Sequence, residues 1–179
     1  MKFFNTIFLA ILTTSVFSQN DIITKEVGDF NELKVYDLIE VTLIQSTENK
    51  VVIKGEDTQD VSIVNKNGIL KVKMNAEKIF RGEDTYVEVY FKNIDVIDAN
   101  EGAQIVGNEM ITQNTLELRA QEGGQIKVGL MLGHTKIKAV TGGIIEASGV
   151  SKSQEITRPL GAGGTALIAA LKRGDSGNE

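Results

Sequence analysis

Apolar and polar residues alternate with a period of two along most of this chain, which is typical of strands with one buried face. In segment 86–91, Val87 and Val89 share one side of such a strand, and Glu88 lies on the other. No stretch between residues 19 and 157 sustains a helical period over eleven residues. The pattern therefore predicts an all-β domain.

The clearest local element is a hairpin centred on Asn67-Gly68. Two short segments with strand-like patterning, 61–64 (VSIV) and 69–74 (ILKVKM), flank this pair. Asn-Gly readily adopts the positive φ angles that a two-residue hairpin turn requires. The polar, mixed stretch 75–84 that follows is predicted to be a loop.

The second half of the chain repeats itself. Ala99, Ala120 and Ala139 occupy equivalent positions, at offsets of 21 and 19 residues. Each is followed by a Gly-Ala or Gly-Gly pair, where the chain must turn sharply or take a positive φ. Three further sets align in the same frame: aliphatic Ile97, Leu118 and Ile137, aliphatic Ile105, Ile126 and Ile145, and charged Asp98, Arg119 and Lys138.

One repeat of this length cannot bury its own apolar face, whereas stacked copies can. The spacing predicts a single-stranded β-helix, a solenoid-like stack of coils of about 20 residues, preceded by meandering strands. In that arrangement the aliphatic sets face inward and the charged set faces water. The alternative is a β-sandwich or meander whose hairpins recur at similar spacing.

The composition of the chain changes at two places, which divide it into three segments. Residues 1–18 have a basic start, an apolar centre and small residues at the end, the layout of a cleaved signal peptide. Residues 19–157 form the predicted β-domain. Residues 158–179 hold the only proline and show little alternation, and they are interpreted as a divergent, truncated or frame-shifted C-terminal tail. The signal peptide predicts that the mature chain is exported, and no later segment is long and apolar enough to span a bilayer.

Composition excludes several kinds of site. The 179 residues include no cysteine and one histidine, which excludes disulfides, zinc–thiolate centres and thiol catalysis. The formal net charge of −5 argues against a nucleic-acid partner, because such domains usually carry a basic stripe. No phosphate-binding or nucleophile motif is present. The chain is therefore predicted to be non-enzymatic, with no cofactor and no metal.

Three sets of residues are weaker candidates for chemistry. His134 is interpreted as a solvated turn residue rather than a zinc ligand. The acidic residues at 56–60 and 83–84 lack the spacing of calcium-binding motifs. Arg119 and Lys138 are the candidate bases of a polysaccharide lyase, but an exposed Asp98–Arg119 ion-pair ladder is the simpler interpretation.

The order of segments also resembles a known family. Segment 27–35 (VGDFNELKV) is followed by strands at 41–45 and 51–55 and then by the repeated glycine pairs. Together they resemble the head GIN domain of auto-transporter adhesins, which are exported bacterial envelope proteins, from Thr24 to Thr157. The resemblance implies a β-helix-like fold, an exported location and an adhesin role, with no catalytic residues. This chain departs from the family at its C-terminal end, where other members continue with further Gly-Gly coils.

Exposed flat faces are the usual binding surfaces of repeat proteins, and two such faces are predicted here. The predicted surface contacts are Tyr86, Tyr90, Asp98, Arg119 and Lys138. The predicted partner is an unidentified surface glycan or protein. A carbohydrate-active, lyase-like β-helix is one alternative. The other is a structural component that self-associates through its open C-terminal edge.

Overall fold

The prediction of an all-β domain is confirmed. The computed structural model describes residues 22–157 and 171–173, which form twelve strands and two short 3₁₀ helices, Thr58–Asp60 and Ala76–Lys78. The strands are β1 (Ile23–Glu26), β2 (Glu32–Val35), β3 (Glu40–Gln45), β4 (Lys50–Gly55), β5 (Val61–Lys66), β6 (Ile69–Met74), β7 (Thr85–Phe91), β8 (Val96–Ala99), β9 (Gln104–Ala120), β10 (Gln125–Ala139), β11 (Ile144–Thr157) and β12 (Leu171–Arg173).

The prediction of a single-stranded β-helix is wrong. The described strands form one continuous sheet that curls like a half-barrel around the core, rather than a stack of coils. The repeats are three long strands lying side by side, β9, β10 and β11, with 17, 15 and 14 residues. The repeat spacing determines which residues are neighbours on adjacent strands. A curled sheet and a stack of coils both place the same residues side by side, so the spacing does not distinguish them.

The N-terminal strands are part of the same sheet and do not form a separate meander before it. The strand order is β1-β4-β7-β3-β9-β8-β2-β6-β5, and β10, β11 and β12 follow outward from β9. β3 pairs in parallel with both β7 and β9, although about a third of the chain separates β3 from β9 in sequence. The outer faces of early and late strands therefore join into continuous surfaces.

Four aliphatic side chains stand side by side across the sheet. Leu33, Ile97, Leu118 and Ile137 are direct neighbours on β2, β8, β9 and β10, and all four are completely buried. We call this set the aliphatic row. The register that the repeat predicts for the last three is confirmed. Leu33 occupies the equivalent position in an earlier copy of the repeat. Segment 46–95 lies between that copy and the later ones.

Stacked tight turns connect the strands at one end. Glu101-Gly102, Glu122-Gly123 and Thr141-Gly142 all have positive φ at both residues, which confirms the sharp turns predicted there. The backbone N–H of each glycine in the first two turns donates to the following turn, Gly102 to Glu122 at 3.0 Å and Gly123 to Thr141 at 3.2 Å. These hydrogen bonds fix one turn over the next and maintain the lateral register of the strands.

Two local predictions agree with the structure. β5 and β6 are antiparallel with Lys66 opposite Ile69, and Asn67 and Gly68 have φ angles of 54° and 78°. The Asn-Gly hairpin is therefore confirmed. Val87 and Val89 are buried on β7, as the alternation there predicts.

The predicted signal peptide, residues 1–18, lies outside the described residues. Of the predicted tail, 158–179, the structure describes only β12, which pairs in parallel with Gly149–Ser151 of β11. Both segment assignments stay predictions. Within the described ranges, no helix has the length and apolar character needed to cross a membrane.

Candidate functional site

Three of the predicted contacts form one outward-facing group. Asp98, Arg119 and Lys138 lie at equivalent positions on the neighbouring strands β8, β9 and β10. They alternate with buried residues of the aliphatic row, so their side chains are on the outer face. The charged set predicted from the repeat is thus assembled by the sheet.

The predicted Asp98–Arg119 ion-pair ladder is not what the structure shows. The Oδ2 atom of Asp98 pairs with Nζ of Lys34 on β2 at 2.8 Å. Arg119 donates instead to Glu117, from its Nε at 2.8 Å, and lies 3.6 Å from Glu32. The interpretation was wrong because it did not place β2 beside β8, where Lys34 competes for the carboxylate.

Asp98 is nearly inaccessible to solvent, with 4% of its surface exposed. Its Oδ1 atom has no hydrogen-bond partner among the described residues. A carboxylate in that position needs Lys34 as a counter-charge, since an unpaired buried charge is costly. Asp98 is therefore a structural residue rather than an accessible contact, whereas Lys138 is exposed.

Glu117 connects this group electrostatically. The hydrogen bond from Arg119 lowers the pKa of Glu117 below its ordinary value, and it exceeds the opposing effect of partial burial. The same bond raises the pKa of Arg119. Glu117 also lies 4.0 Å from Nζ of Lys136 on the next strand. The group is thus a local ion-pair network with both signs of charge.

We expect Glu117→Gln to reduce the free energy of unfolding at pH 7 by about 1 kcal/mol and by much less at pH 3. The folded pKa of Glu117 is depressed, so its ion pair stabilises the fold above the unfolded pKa of about 4.3 and is lost as pH falls through the folded pKa. Urea unfolding at the two pH values measures this. Glu109→Gln, at an exposed position, is the control. An equal loss for Glu117→Gln at both pH values would contradict the expectation.

The two predicted tyrosines lie on β7, facing outward as the alternation predicts. Tyr90 is half-buried: Nζ of Lys50 lies 4.7 Å from its ring centroid, and its hydroxyl donates to Glu88 at 3.1 Å. Tyr86 is more open, with 46% of its surface exposed. Of the two, Tyr86 is the one with an accessible aromatic face.

The sheet does not bring all five predicted contacts together. Arg119 is near the end of β9, whereas Tyr86 lies two strands from the beginning of β9, at Gln104. The charged group and the tyrosines therefore belong to two separate surfaces.

A set of polar residues that the sequence did not predict lies beside Tyr86. Glu40 pairs with Tyr86 and with Gln104, and Gln104 pairs with Gln125, so one line of side chains crosses four strands. We call Tyr86, Glu40, Gln104 and Gln125 the polar row. Gln104 and Gln125 share a position in the repeat, and from that shared position their adjacency on neighbouring strands could have been predicted. Their proximity to Tyr86 depends on the β3–β9 pairing, which no local pattern shows.

The groove over this surface is shallow. It has a volume of about 180 Å³ and is lined by both glutamines of the polar row together with Val106, Lys127 and Ile144, among others. Lys127 and Glu146 at its side form an ion pair of 3.6 Å. The groove is open and polar, and suits an extended molecule better than an enclosed small ligand.

The structure gives little support for metal binding at His134 or at the acidic loops. His134 lies within β10 rather than in a turn, which corrects that prediction, and its Nδ1 is 2.8 Å from the Ser153 hydroxyl. The loops with Glu56 and Glu83 do meet at one end of the sheet. In the described part of the chain, however, no three acidic or histidine side chains are placed to hold a metal ion.

Comparison with known families confirms the resemblance given by the sequence. The family model described as "Putative auto-transporter adhesin, head GIN domain" matches residues 29–172. The match covers most of the chain and continues past Thr157. No curated protein sequence matches the chain.

Solved structures share the fold at low sequence identity. A putative adhesin from Bacteroides fragilis NCTC 9343 has a TM-score of 0.69 and 14% identity, covering 76% of this chain and 66% of its own. A putative lipid binding protein from Parabacteroides distasonis ATCC 8503 has a TM-score of 0.54 and 12% identity, covering 78% and 74%. This chain thus spans about two thirds to three quarters of the length of these neighbours. At such identities the likeness shows the fold alone.

Proposed function

This chain belongs to the family of auto-transporter adhesin head GIN domains, and from that membership we propose that it is a non-enzymatic, exported envelope module that attaches to surfaces. The observation that carries the proposal is the family match over residues 29–172. The module binds through the outer face of its sheet and does not enclose a ligand.

The shape of the described domain supports this proposal. Its core is a continuous cluster of buried, mostly aliphatic side chains, and the groove beside the polar row is open rather than enclosed. Binding on such a fold uses the regular side chains of neighbouring strands. Of the two candidate bases of the lyase-like alternative, Arg119 is paired with Glu117 and Glu32 rather than free beside a groove.

Export is the part of the proposal that depends on the N-terminus. Residues 1–18 have the layout of a signal peptide, and membership of an adhesin family supports an exported location. A domain without cysteine forms no disulfide, so its covalent structure is the same in an oxidising and in a reducing compartment. The self-association that the sequence analysis gives as an alternative stays a prediction, with β12 pairing over only part of the edge of β11.

The test of the proposed function is an adhesion assay. Beads coated with the purified chain are expected to attach to bacterial and epithelial cell layers at least tenfold more than beads coated with a heat-unfolded sample. Attachment depends on the folded outer face, so unfolding removes it. Equal attachment of native and unfolded samples, or none by either, would refute an adhesive role.

A further inference from the structure

Resting on the proposed adhesive function, we infer that the polar row is a binding site for a neutral polysaccharide chain lying across strands β7, β3, β9 and β10. The four side chains of the row, Tyr86, Glu40, Gln104 and Gln125, are its contacts.

Strand pairing sets the length and direction of the site. Tyr86 opposes Glu40, Glu40 opposes Gln104, and Gln104 opposes Gln125, so paired residues point to the same side of the sheet. With adjacent strands about 4.8 Å apart, the row extends about 14 Å perpendicular to the strands. A line of that length accommodates a short run of linked sugars rather than a single one.

The hydrogen-bonding groups of the row are available for a ligand. Gln104 and Gln125 are exposed, and neither amide has a side-chain partner among the described residues. Each amide supplies two donors and one acceptor oxygen, and Glu40 supplies acceptors. Sugar hydroxyls both donate and accept, so a row with acceptors at Glu40 and both donors and acceptors at the two amides matches the rim of a pyranose chain.

Tyr86 provides the apolar component of the site. With 46% of its surface exposed, it is among the most exposed large hydrophobic side chains of the described strands, and it lies at one end of the row. The flat face of an aromatic ring packs against the C–H face of a sugar, and its hydroxyl stays available for a hydrogen bond. An exposed tyrosine followed by free amides thus offers both kinds of contact that a pyranose makes.

The charges around the row favour a neutral ligand. Lys127 and Glu146 neutralise each other at 3.6 Å, and Lys54 pairs with Glu88 beside Tyr86. Glu40 is the charged member of the row itself and repels an anionic polymer. The row is also too polar for the apolar centre of a protein interface.

The test is affinity electrophoresis of the full chain in native gels that contain yeast mannan, laminarin, xyloglucan or polygalacturonate. We expect at least one of the three neutral polysaccharides to retard the chain and the acidic polygalacturonate not to. The double variant Tyr86→Ala, Gln125→Ala is expected to lower the affinity for that neutral polysaccharide at least tenfold. Both side chains are exposed, and urea unfolding of the variant checks that it folds.

Two control variants separate the row from the rest of the outer face. Met131→Ala removes an exposed side chain further along β10, and Lys138→Ala removes the exposed member of the charged group. Both are expected to bind the polysaccharide as the unmodified chain does. Loss of binding in Lys138→Ala, with binding retained in the double variant, would assign the site to the charged group and overturn the inference.

The remaining outcomes distinguish the inference from the function on which it rests. Retardation by polygalacturonate alone, or by none of the four polymers, overturns the glycan site. If coated beads still attach to cells in that case, the adhesive function stands and its partner is a protein. If the beads also fail to attach, the adhesive function and the glycan site are both wrong.

Discussion

Shortening Leu118 to alanine is expected to lower the free energy of unfolding by about 3 kcal/mol, within the range of about 2–5 kcal/mol measured for such core truncations. Leu118 is completely buried in the aliphatic row, between Ile97 on β8 and Ile137 on β10. Removing its isopropyl group leaves a cavity that neither neighbour can fill, because each is fixed by its own strand pairing. Equilibrium urea unfolding of the two proteins measures the difference.

The control for this prediction is Leu118→Ile. Isoleucine already occupies the two adjacent positions of the row, and the substitution keeps the side-chain volume. Its cost is expected to stay below about 1.5 kcal/mol. If Leu118→Ala costs no more than Leu118→Ile, the aliphatic row is not the packed centre of the sheet.

The aliphatic row also shows what the sequence can establish. Ile97, Leu118 and Ile137 align in the sequence repeat, and the structure places them as direct neighbours. The reason is physical: parallel strands in register bring residues at equal repeat positions together, so spacing along the chain translates into adjacency across the sheet. The turn glycines follow from the same repeat, because the chain must reverse at equal intervals.

The overall shape could not be obtained in this way. Lateral register is a local property of neighbouring strands, whereas the curl of the whole sheet depends on which strands flank the repeats. β3 lies between β7 and β9, and that arrangement depends on contacts across about a third of the chain. Leu33 belongs to the aliphatic row, but segment 46–95 interrupts the repeat and obscures its period.

The candidate site was partly predictable for the same reason. The alternation on β7 placed Tyr86 outward, and this is confirmed. Its neighbours in the polar row could not be found without the β3–β9 pairing. The same missing information led to the wrong partner for Asp98, since Lys34 reaches it only because β2 pairs with β8.

Gly149→Ala is expected to cost about 3 kcal/mol or more, the sum of backbone strain and a steric collision. Gly149 lies within β11 at φ 111°, a conformation that residues with a side chain rarely adopt. A Cβ atom there would lie 2.1 Å from the carbonyl oxygen of Leu130 on β10. That oxygen belongs to the backbone of the neighbouring strand, so relief requires the two strands to move apart. Urea unfolding, with circular dichroism of the native state, measures the loss.

Gly129→Ala is a matched control on the adjacent strand. Gly129 has no positive φ, and a Cβ atom there would meet Sδ of Met110 at 2.7 Å. Met110 is an exposed, flexible side chain that can rotate away, whereas a backbone carbonyl cannot. The expected cost is therefore below about 1 kcal/mol. Similar costs for the two variants would mean that β10 and β11 are not held together as closely at Leu130 and Gly149 as the structure places them.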